Sequence, residues 1–578
     1  MLLAAVACGK TPTDPTGTTA GTEASKELTG SAALVTDGRL KVGIVRDDEI
    51  GEEGKSAASE IYRVLLSQYP DGEVLIREDY VTNADEEKDN VEILIGYADR
   101  PESKAVFGEL SYGDGVIRVV GNKIVIAAWS DIAYTSLKST FTEMILLAAD
   151  KQNLTLTDAD NKSVTVNASV NGLPVVDGIS PNKIHSEGEK AYQLYFYNAT
   201  AENLGGYIEK MKADGYTCTM DRTVGNNRFT SFVGKDTSVT AYYTAANKTM
   251  RIIAEPESNL FVPKAGGAAV TTPMLTMIGR RFSTTETYLG GDAGAGLLCM
   301  MIRLSDGRFI VVDGGNYDGS SYSYAQALYA KMREQAPDPN NITVAAWYFS
   351  HTHNDHVGGF VSFAATYGST VKVEAVLCNF PPLATAKKVN DGSANDRTRF
   401  DGALGQFTSK PKMYKIHTGQ QYQIGDALME VYYTQEDFLT KAQEMGDANH
   451  TTNWNNTSSI MSVDIAGQRI MFLGDAQEHA NNTTANIYGS YLKSDIVQIA
   501  HHGGIGGTKA IYKAVDAAVG LFTTSDQLVD IYIDHWDYNR YMVADLNMKE
   551  YFNACDRVTT FALPYTPKSQ GFVKTTVN

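Results

Sequence analysis

The stretch YFSHTHNDHVGG, Tyr348 to Gly359, places three of the chain's ten histidines within six residues. It overlaps the apolar run VAAWYF, which predicts a buried strand that runs out into a loop. His351 and His353 are two residues apart and can face the same side as the strand ends, while Asp355 and His356 follow at the bend. Neutral imidazole and carboxylate groups are ligands of zinc, manganese and iron. The stretch therefore predicts a metal-binding loop that can serve two adjacent ions.

Apolar strands that end in polar, glycine-rich loops recur from about residue 270 onwards. FIVVDGG reaches Asp313 at its end, RIMFLGDA reaches Asp475, and IVQIAHHGG reaches His501 and His502. Loops at strand ends are where a sheet scaffold carries chemistry, so these four residues join the candidates. Five of the ten histidines thus lie at such strand ends.

The rest of the chain predicts a multidomain α/β protein. At 578 residues it is too long for one hydrophobic core. Strand-like and helix-like segments alternate in the N-terminal part, as in LKVGIV followed by GKSAASEIYRVLLSQYP, and this pattern favours an α/β layer domain. We divide the chain into a leader remnant and linker at 1–30, an α/β domain at 31–165, a small α+β domain at 166–265, and a domain with the metal-binding loop at 266–578.

The first residues predict that the protein is located outside the cytoplasm. MLLAAVAC is a short apolar run that ends in small residues and Cys8, and it is similar to the end of a bacterial lipoprotein signal. The Thr-, Gly- and Pro-rich segment that follows cannot bury enough apolar surface to fold and predicts a tether. We therefore expect an extracytoplasmic lipoprotein that contacts the membrane only through lipid on Cys8.

The charge balance argues against one class of partner. The formal net charge is −18, so the chain as a whole gains no affinity from release of counterions around nucleic acid. General nucleic-acid binding is therefore not expected.

In order and surroundings, the candidate residues resemble those of the metallo-β-lactamase fold hydrolases, which carry His-x-His-x-Asp-His after a strand. In that family, an aspartate at the position of Asp313 orients the ligand loop, one at the position of Asp475 bridges two metals, and a histidine at 501–502 is the last ligand. The resemblance covers about residues 270–578. It implies an α/β fold with a C-terminal αββα sandwich, preceded here by two small α/β or α+β accessory domains.

One position departs from the family pattern. Between Asp355 and Asp475 the family has a further histidine before a strand, but NHTTNWNNTSSIMSV places Asn455 and Asn456 there, and His450 lies a few residues too early. With FLGDA and a closing HHGG, this form is most similar to the hydrolase domain of DNA-uptake competence proteins and to phosphorylcholine esterases that act on cell-wall teichoic acid.

The resemblance implies hydrolysis assisted by two divalent metals, with zinc expected first and manganese or iron as alternatives. In the family such metals lower the pKa of water and neutralise charge on the substrate. One metal would be held by Asp355, His356, Asp475 and one of His501 and His502, and a second, more open site by His351, His353 and Asp475. The other histidine of the pair would contact substrate, act as a general acid or simply pack. We assign catalysis to Asp355, His502 and Asp313, the last by orienting the ligands.

Four further residues are weaker candidates for substrate contact: Asn455, Asn456, Asn379 after VEAVLC, and His535 in DHWDYNRYM. The expected function is a metal-dependent hydrolase, a phosphodiesterase or related phosphoester hydrolase, with a phosphodiester or a cell-envelope molecule as substrate. β-Lactam hydrolysis is disfavoured because it goes with small enzymes that have a fuller ligand set. Two alternatives stay open: a binding or scaffold lipoprotein on a degenerate site, and an ester, lactone or thioester hydrolase on the same centre.

Overall fold

The computed structural model describes the following residues: 28–48, 50–81, 83–110, 114–128, 131–165, 172–179, 181, 183–188, 191–279, 297–319, 323–388, 392–438, 454–554, 558–568 and 573–574. The chain divides into two compact units, Met1–Ala168 and Ser169–Asn578. Cys8 and His450 lie outside the described residues, so the lipid anchor stays a prediction. Among the described residues, no helix has the length and apolar character needed to cross a membrane.

The first unit contains a mixed sheet with the strand order β7-β1-β2-β4-β6-β5-β8, and β3 pairs with β2. Its strands are β1 Ser31–Thr36, β2 Arg39–Arg46, β3 Glu73–Glu78, β4 Glu92–Ile95, β5 Asp114–Val120, β6 Lys123–Ala128, β7 Leu154–Thr157 and β8 Lys162–Thr165. Its helices are α1 Glu52–Gln68, α2 Pro101–Glu109 and α3 Asp131–Leu146. The core of this unit forms where α1 and α3 pack on the sheet, for example Ile61 and Phe141 against Ile44 and Ile93.

The second unit begins with a six-stranded antiparallel sheet, here called the accessory sheet, in the order β11-β12-β13-β14-β10-β9. Its elements are β9 Lys183–Gly188, β10 Ala191–Phe196, α4 Ala201–Ala213, β11 Thr217–Val224, β12 Asn227–Gly234, β13 Thr237–Thr244 and β14 Thr249–Pro256. Thr200 caps α4 by accepting a hydrogen bond from the Asn203 backbone N–H.

Two further eight-stranded sheets follow. Their strands are β15 Met274–Met277, β16 Met300–Arg303, β17 Phe309–Val312, β18 Thr343–Tyr348, β19 Lys372–Val373, β20 Ala375–Cys378, β21 Lys412–Lys415, β22 Gln421–Ile424, β23 Ala427–Tyr433, β24 Ile460–Ile465, β25 Gln468–Phe472, β26 Ile496–Gln498, β27 Val519–Phe522, β28 Glu550–Asn553, β29 Thr559–Ala562 and β30 Val573–Lys574. The helices between them are α5 Tyr324–Gln335, α6 Asn354–Tyr367, α7 Leu383–Lys388, α8 Ser393–Leu404, α9 Glu478–Tyr488, α10 Lys509–Val515, α11 Asp526–His535 and α12 Asp537–Asp545.

These two sheets pack face to face. The first sandwich sheet has the order β21-β20-β18-β17-β16-β15-β29, with β19 beside β18, and the second has the order β22-β23-β24-β25-β26-β27-β28-β30. One apolar core joins their inner faces, with Ile302 and Val312 of the first sheet and Val463 and Phe472 of the second. Alternation along β16 shows why: Ile302 belongs to this inner core, while its neighbour Met301 packs on the outer face under α5 and α6. The prediction of a mixed α/β chain is confirmed.

The outer face of each sandwich sheet is covered by helices. Helices α5, α6 and α8 cover the first sheet, and α9 to α12 cover the second. The accessory sheet joins the second helical layer, where Phe229 stacks on Tyr488 with ring centroids 5.6 Å apart. The accessory sheet therefore shares the outer hydrophobic core that lies between the second sandwich sheet and its helices.

Strand direction explains where the candidate residues meet. In the first sandwich sheet β17, β18 and β20 are parallel, and in the second β25, β26, β27 and β28 are parallel. The carboxyl ends of parallel strands lie at one edge of a sheet, which is where open α/β sheets place their ligands. The loops after β18, β25 and β26 carry the metal-ligand candidates of the sequence, and the loop after β17 carries Asp313.

Candidate metal centre

The ligand loop leaves β18 and turns directly into α6. His351 is fully buried, His353 stands at the N-cap of α6, and Asp355 and His356 lie in its first turn. This turn packs tightly on the loop after β17, because a Cβ on Gly359 would lie 1.9 Å from the carbonyl oxygen of Gly314. Glycine is therefore required at this point for the ligand loop to reach its position.

Asp313 fixes the ligand loop from behind. Its carboxylate accepts hydrogen bonds from the Ser350 backbone N–H at 2.8 Å, the Ser350 hydroxyl at 2.7 Å and His356 Nδ1 at 2.8 Å. Asp313 is fully buried and adopts a left-handed backbone, with φ of 52°. His356 thus donates through Nδ1, and Nε2 is the nitrogen that faces Asp475.

The same hydroxyl sets the tautomer of His351. The only proton of Ser350 Oγ points to Asp313, so its lone pairs accept from His351 Nδ1, 3.1 Å away. His351 therefore also presents a bare Nε2, which lies 2.9 Å from His353 Nδ1. Nitrogen atoms from two histidines thus converge at one point.

Asp475 lies at the centre of the arrangement. It follows β25 and is almost fully buried. Oδ1 lies 3.1 Å from His356 Nε2, while Oδ2 lies 3.2 Å from His502 Nε2, 3.6 Å from His501 Nε2 and 4.0 Å from His351 Nε2. Four imidazole rings therefore direct Nε2 at one carboxylate.

The donor set fits a divalent metal. Ligand atoms from Asp355, His356, Asp475 and His502 all lie within 4.8 Å of one another. The His502 Nε2 to Asp355 Oδ2 distance is 3.2 Å, and ligands bound to one zinc at about 2.0–2.1 Å in tetrahedral geometry lie roughly 3.3 Å apart. His356 Nε2, His502 Nε2 and Asp475 Oδ1 are buried and make no hydrogen bond of acceptable geometry. Buried polar atoms that face one another without a hydrogen bond are costly unless a cation lies between them.

Electrostatics point the same way. Burial, together with the imidazoles of His356 and His353, holds the pKa of His351 well below its usual range, so this ring is neutral, as a ligand must be. Burial opposes a charge on His502, but the nearby carboxylates of Asp475 and Asp355 raise the pKa of His502 to about 9. The carboxylates therefore draw positive charge to the Nε2 atoms that face them.

The second sandwich sheet holds the other half of the centre through residues that the sequence reasoning missed. Gln498, fully buried at the end of β26, accepts hydrogen bonds from Leu473 N and Gly474 N and donates to the Gly474 carbonyl. It thereby ties the Asp475 loop to the loop of the histidine pair. Thr523, just after β27, lies 2.7 Å from His502 Nδ1 through its hydroxyl and orients that ring.

The histidine pair splits into two positions. His501 and His502 both adopt left-handed backbone angles, with φ of 48° and 59°. His502 is buried in the four-residue donor set, whereas His501 is partly exposed and not a member of it. Asn455, in the short 3₁₀ turn Trp454–Thr457, approaches His501 instead, with Nδ2 3.3 Å from Nε2.

Tyr317, Asp396 and Arg399 meet beside the ligand loop. The Tyr317 hydroxyl donates to Asp396 at 2.8 Å, and the Arg399 guanidinium lies over the Tyr317 ring at 5.2 Å from its centroid. Burial raises the pKa of Asp396, and His353 and Asp355 are among the charges that act on it. Sequence reasoning missed this group because its members are distant in the chain and carry no motif.

The weaker substrate candidates lie in different surroundings. Asn379 is fully buried, and its amide donates to the Ile416 carbonyl and accepts from Gln435. Asn456 is buried and caps α9 by accepting from Ala480 N at 2.9 Å. His535 is exposed at the end of α11, edge-on to Trp536. Of these candidates, Asn455 is the one that contacts a residue of the centre.

No protein-family model matches the chain, and no curated protein matches it. Among solved structures it is similar to the metallo-beta-lactamase fold protein YhfI from Bacillus subtilis, at 11% identity over 50% of this chain and 100% of that one, with a TM-score of 0.30. It is also similar to CmlA, a diiron beta-hydroxylase from Streptomyces venezuelae, at 11% identity over 51% of this chain and 55% of that one, with a TM-score of 0.30. A third is unliganded yeast PDE1, at 12% identity over 51% of this chain and 100% of that one, with a TM-score of 0.30.

Proposed function

We propose that this protein is a metal-dependent hydrolase that cleaves phosphodiesters or related phosphoesters outside the cytoplasm. The proposal rests mainly on one observation: His356 Nε2 and His502 Nε2 are buried, make no hydrogen bond and lie within 3.2 Å of the Asp475 carboxylate. Neutral imidazoles and ionised carboxylates are the donor chemistry of zinc, manganese and iron sites. A structural role alone gives no reason to bury these groups against one another.

The chain's own residues prepare the centre. Asp355, His356, His502 and Asp475 would hold one cation, and Asp313 and Thr523 fix the two imidazoles so that Nε2 faces it. When bound, divalent cations supply Lewis-acid chemistry, polarising phosphoryl oxygens and lowering the pKa of water. Because Asp313, Ser350 and Gln498 are buried behind the ligands, the rings need no reorganisation when substrate arrives.

The preference for a phosphoester rests on the site's surroundings. Ligand candidates lie on both sides of Asp475, an arrangement that suits a group with two adjacent anionic oxygens. Arg399 is exposed over Tyr317 beside the ligand loop, and a guanidinium favours phosphate through paired N–H donors. The net charge of −18 makes a small or envelope-derived phosphodiester a better substrate than DNA.

A substrate panel tests the proposal. Purified protein reconstituted with Zn²⁺ or Mn²⁺ would be offered bis(p-nitrophenyl) phosphate, p-nitrophenyl phosphate, p-nitrophenyl acetate and a simple lactone. We expect turnover of the diester that a chelator abolishes and metal restores. Turnover of the acetate or lactone alone would make the protein a carbonyl-ester hydrolase, and metal binding without any turnover would favour a binding or scaffold protein.

We also propose that the protein is held at the outer face of a membrane by lipid on Cys8. The support is the apolar run that ends at Cys8 and the tether-like segment after it. Expression of the chain in a bacterium with its own leader, followed by fractionation, tests this: the wild type should sediment with membranes and Cys8→Ser should not. Equal distribution of the two proteins would reject the anchor.

A further inference from the structure

We propose that His501 supplies the missing third imidazole of a second metal site, together with His351, His353 and Asp475. The proposal rests on the proposed metal-dependent function and goes further, because it gives each member of the adjacent histidine pair to a different cation. His502 would serve the site of Asp355 and His356, and His501 the site of His351 and His353.

Hydrogen bonding fixes the tautomer of His501. Its Nδ1 lies 2.5 Å from the carbonyl oxygen of Ile505, and a carbonyl can only accept. The ring proton is therefore on Nδ1 and the lone pair on Nε2. A histidine that donates its far N–H to a backbone carbonyl is held in the usual manner of a metal ligand. Nε2, the nitrogen left to bind a cation, lies 3.6 Å from Asp475 Oδ2.

The acceptors around Asp475 Oδ2 come from both proposed sites. His351 Nε2 lies 4.0 Å from this oxygen and 2.9 Å from His353 Nδ1. The lone pairs of His351 and His501 thus approach the same carboxylate oxygen. A single cation beside that oxygen would bind both nitrogens, in place of the contacts that His351 Nε2 makes with His353 Nδ1 and His501 Nε2 makes with Asn455 Nδ2.

The backbone separates the two histidines of the pair. Adjacent residues on a regular strand point to opposite faces, but here both residues occupy the left-handed region, which non-glycine residues enter at a cost in free energy. The result is a centroid separation of 5.8 Å between the two rings, with His502 inside the Asp355 and His356 donor set and His501 outside it. The left-handed backbone of these two residues is explained if each ring binds its own cation.

Asn455 links this geometry to the departure in the sequence. Asn455 stands just before β24, where the resemblance leads us to expect a histidine, and its Nδ2 lies 3.3 Å from His501 Nε2. Its Oδ1 is buried without a hydrogen-bond partner. The side chain at the place of the missing ligand therefore contacts the ring that we propose as its replacement.

The two sites would then differ in chemistry. One would offer three imidazoles and a share of Asp475, and the other two imidazoles, Asp355 and a share of Asp475. Imidazole suits zinc, whereas carboxylate-rich sites also accept manganese. We therefore expect the His501 site to select zinc more strongly than the His502 site.

Metal stoichiometry and affinity test the assignment without using activity. The full chain, freed of metal, is titrated with Zn²⁺ against a chromophoric chelator, alongside His501→Asn and His502→Asn. Asparagine is chosen because it tolerates the left-handed backbone of both positions. Wild type should bind two ions per chain, and each variant should bind one ion tightly and the other at least about 100-fold more weakly. His535→Asn, at an exposed histidine, should bind as wild type.

Double variants show which histidines share an ion. His351→Asn with His501→Asn should lose no more ions than His351→Asn alone, while His356→Asn with His501→Asn should lose both. Undiminished binding by His501→Asn, or loss of the ion in His450→Asn with retention in His501→Asn, overturns the inference. If the expected pattern appears but no phosphoester is cleaved, the ligand assignment stands and the proposed activity fails. Thermal unfolding of each metal-free variant shows that a lost ion does not reflect a lost fold.

Discussion

Asp313 accepts a hydrogen bond from His356 Nδ1 at 2.8 Å, and this contact determines which nitrogen of His356 faces Asp475. Replacing Asp313 by asparagine removes the charge and allows an amide to point at the ring. We expect Asp313→Asn to weaken Zn²⁺ binding by roughly 10- to 100-fold, as found for partners behind metal ligands. The measurement is competitive Zn²⁺ titration.

Ser350→Ala is the companion variant for this contact. It removes the hydroxyl that joins Asp313 to His351 but leaves the charge of Asp313 in place. A smaller loss of affinity is expected. Wild-type affinity in both variants would show that the buried hydrogen bonds do not control the ligands.

Asp475 has a carboxylate within 4.0 Å of the Nε2 atoms of four histidines. Asp475→Asn keeps its shape but loses the charge that both proposed cations share. We expect elemental analysis to show that the variant retains less than one tightly bound ion per chain, and we expect phosphodiester turnover to fall by at least about 10³-fold, since metal catalysis contributes several kcal/mol. Full metal content with full activity would disprove the assignment.

Gly359 tests the packing of α6 on the Asp313 loop. A Cβ at this position would lie 1.9 Å from the Gly314 carbonyl oxygen. Because that oxygen belongs to the backbone, the clash can be relieved only by moving the backbone. We expect Gly359→Ala to lower the free energy of unfolding by about 1–3 kcal/mol through overpacking and to weaken metal binding. Urea denaturation measures the first effect.

Gly402 is the matched control, because it also lies within a helix but a Cβ added there would have no atom within 4 Å. Gly402→Ala should be neutral or stabilise by about 0.5–1 kcal/mol. Equal effects at the two glycines would mean that the close approach of the loops is not required.

The accessory sheet is held to the sandwich by a buried ion pair between Arg222 of β11 and Glu430 of β23. Glu430 is almost fully buried, so removal of its partner leaves an uncompensated charge. Arg222→Met should destabilise by about 3 kcal/mol in urea denaturation. Arg228→Met breaks a more exposed pair with Asp221 on the same sheet and should cost at most about 1 kcal/mol. If both substitutions lower the free energy of unfolding equally, the ion pair between Arg222 and Glu430 does not anchor the sheet.

His417 makes stability depend on pH. It lies between Glu436 and Glu255, with ring nitrogens 3.1 and 3.3 Å from their carboxylates. Burial alone would lower the pKa of His417, but the charges of Glu436 and Glu255 raise it to about 10. Lys415 also faces this pair of carboxylates. The folded state therefore binds the His417 proton more tightly than the unfolded chain does.

The sign of the effect follows from this difference. The stabilisation is complete below the unfolded pKa of about 6.5 and is lost as the pH rises toward 10. Denaturation at several pH values should show that the free energy of unfolding of the wild type declines over this range. The decline should be shallower in His417→Gln. Parallel curves for the two proteins would exclude His417 as the group responsible.

Much of the candidate site could be predicted from local sequence patterns. His351, His353, Asp355 and His356 lie on one loop, so their spacing alone predicts that they meet, and Asp475 and the histidine pair are recognisable because they follow apolar strands. The roles of His501 and His502 depend on two left-handed residues, which a pair of identical letters does not reveal. Ser350, Gln498 and Thr523 are common polar residues whose function comes from the partners that tertiary structure gives them. Asn379 follows a strand as the others do, yet its amide is used within the protein.

The pairing of β15 with β29, in register from Met274 with Ala562 to Met277 with Thr559, has a consequence for biosynthesis. Every ligand of the centre is encoded between these two strands, so a nascent chain exposes the complete ligand set before the first sandwich sheet is closed. Until β29 emerges from the ribosome, one edge of β15 has no partner within that sheet and can pair with a strand of another chain. A chaperone that shields this edge, or export that keeps the chain unfolded until it is complete, would protect the protein during that interval.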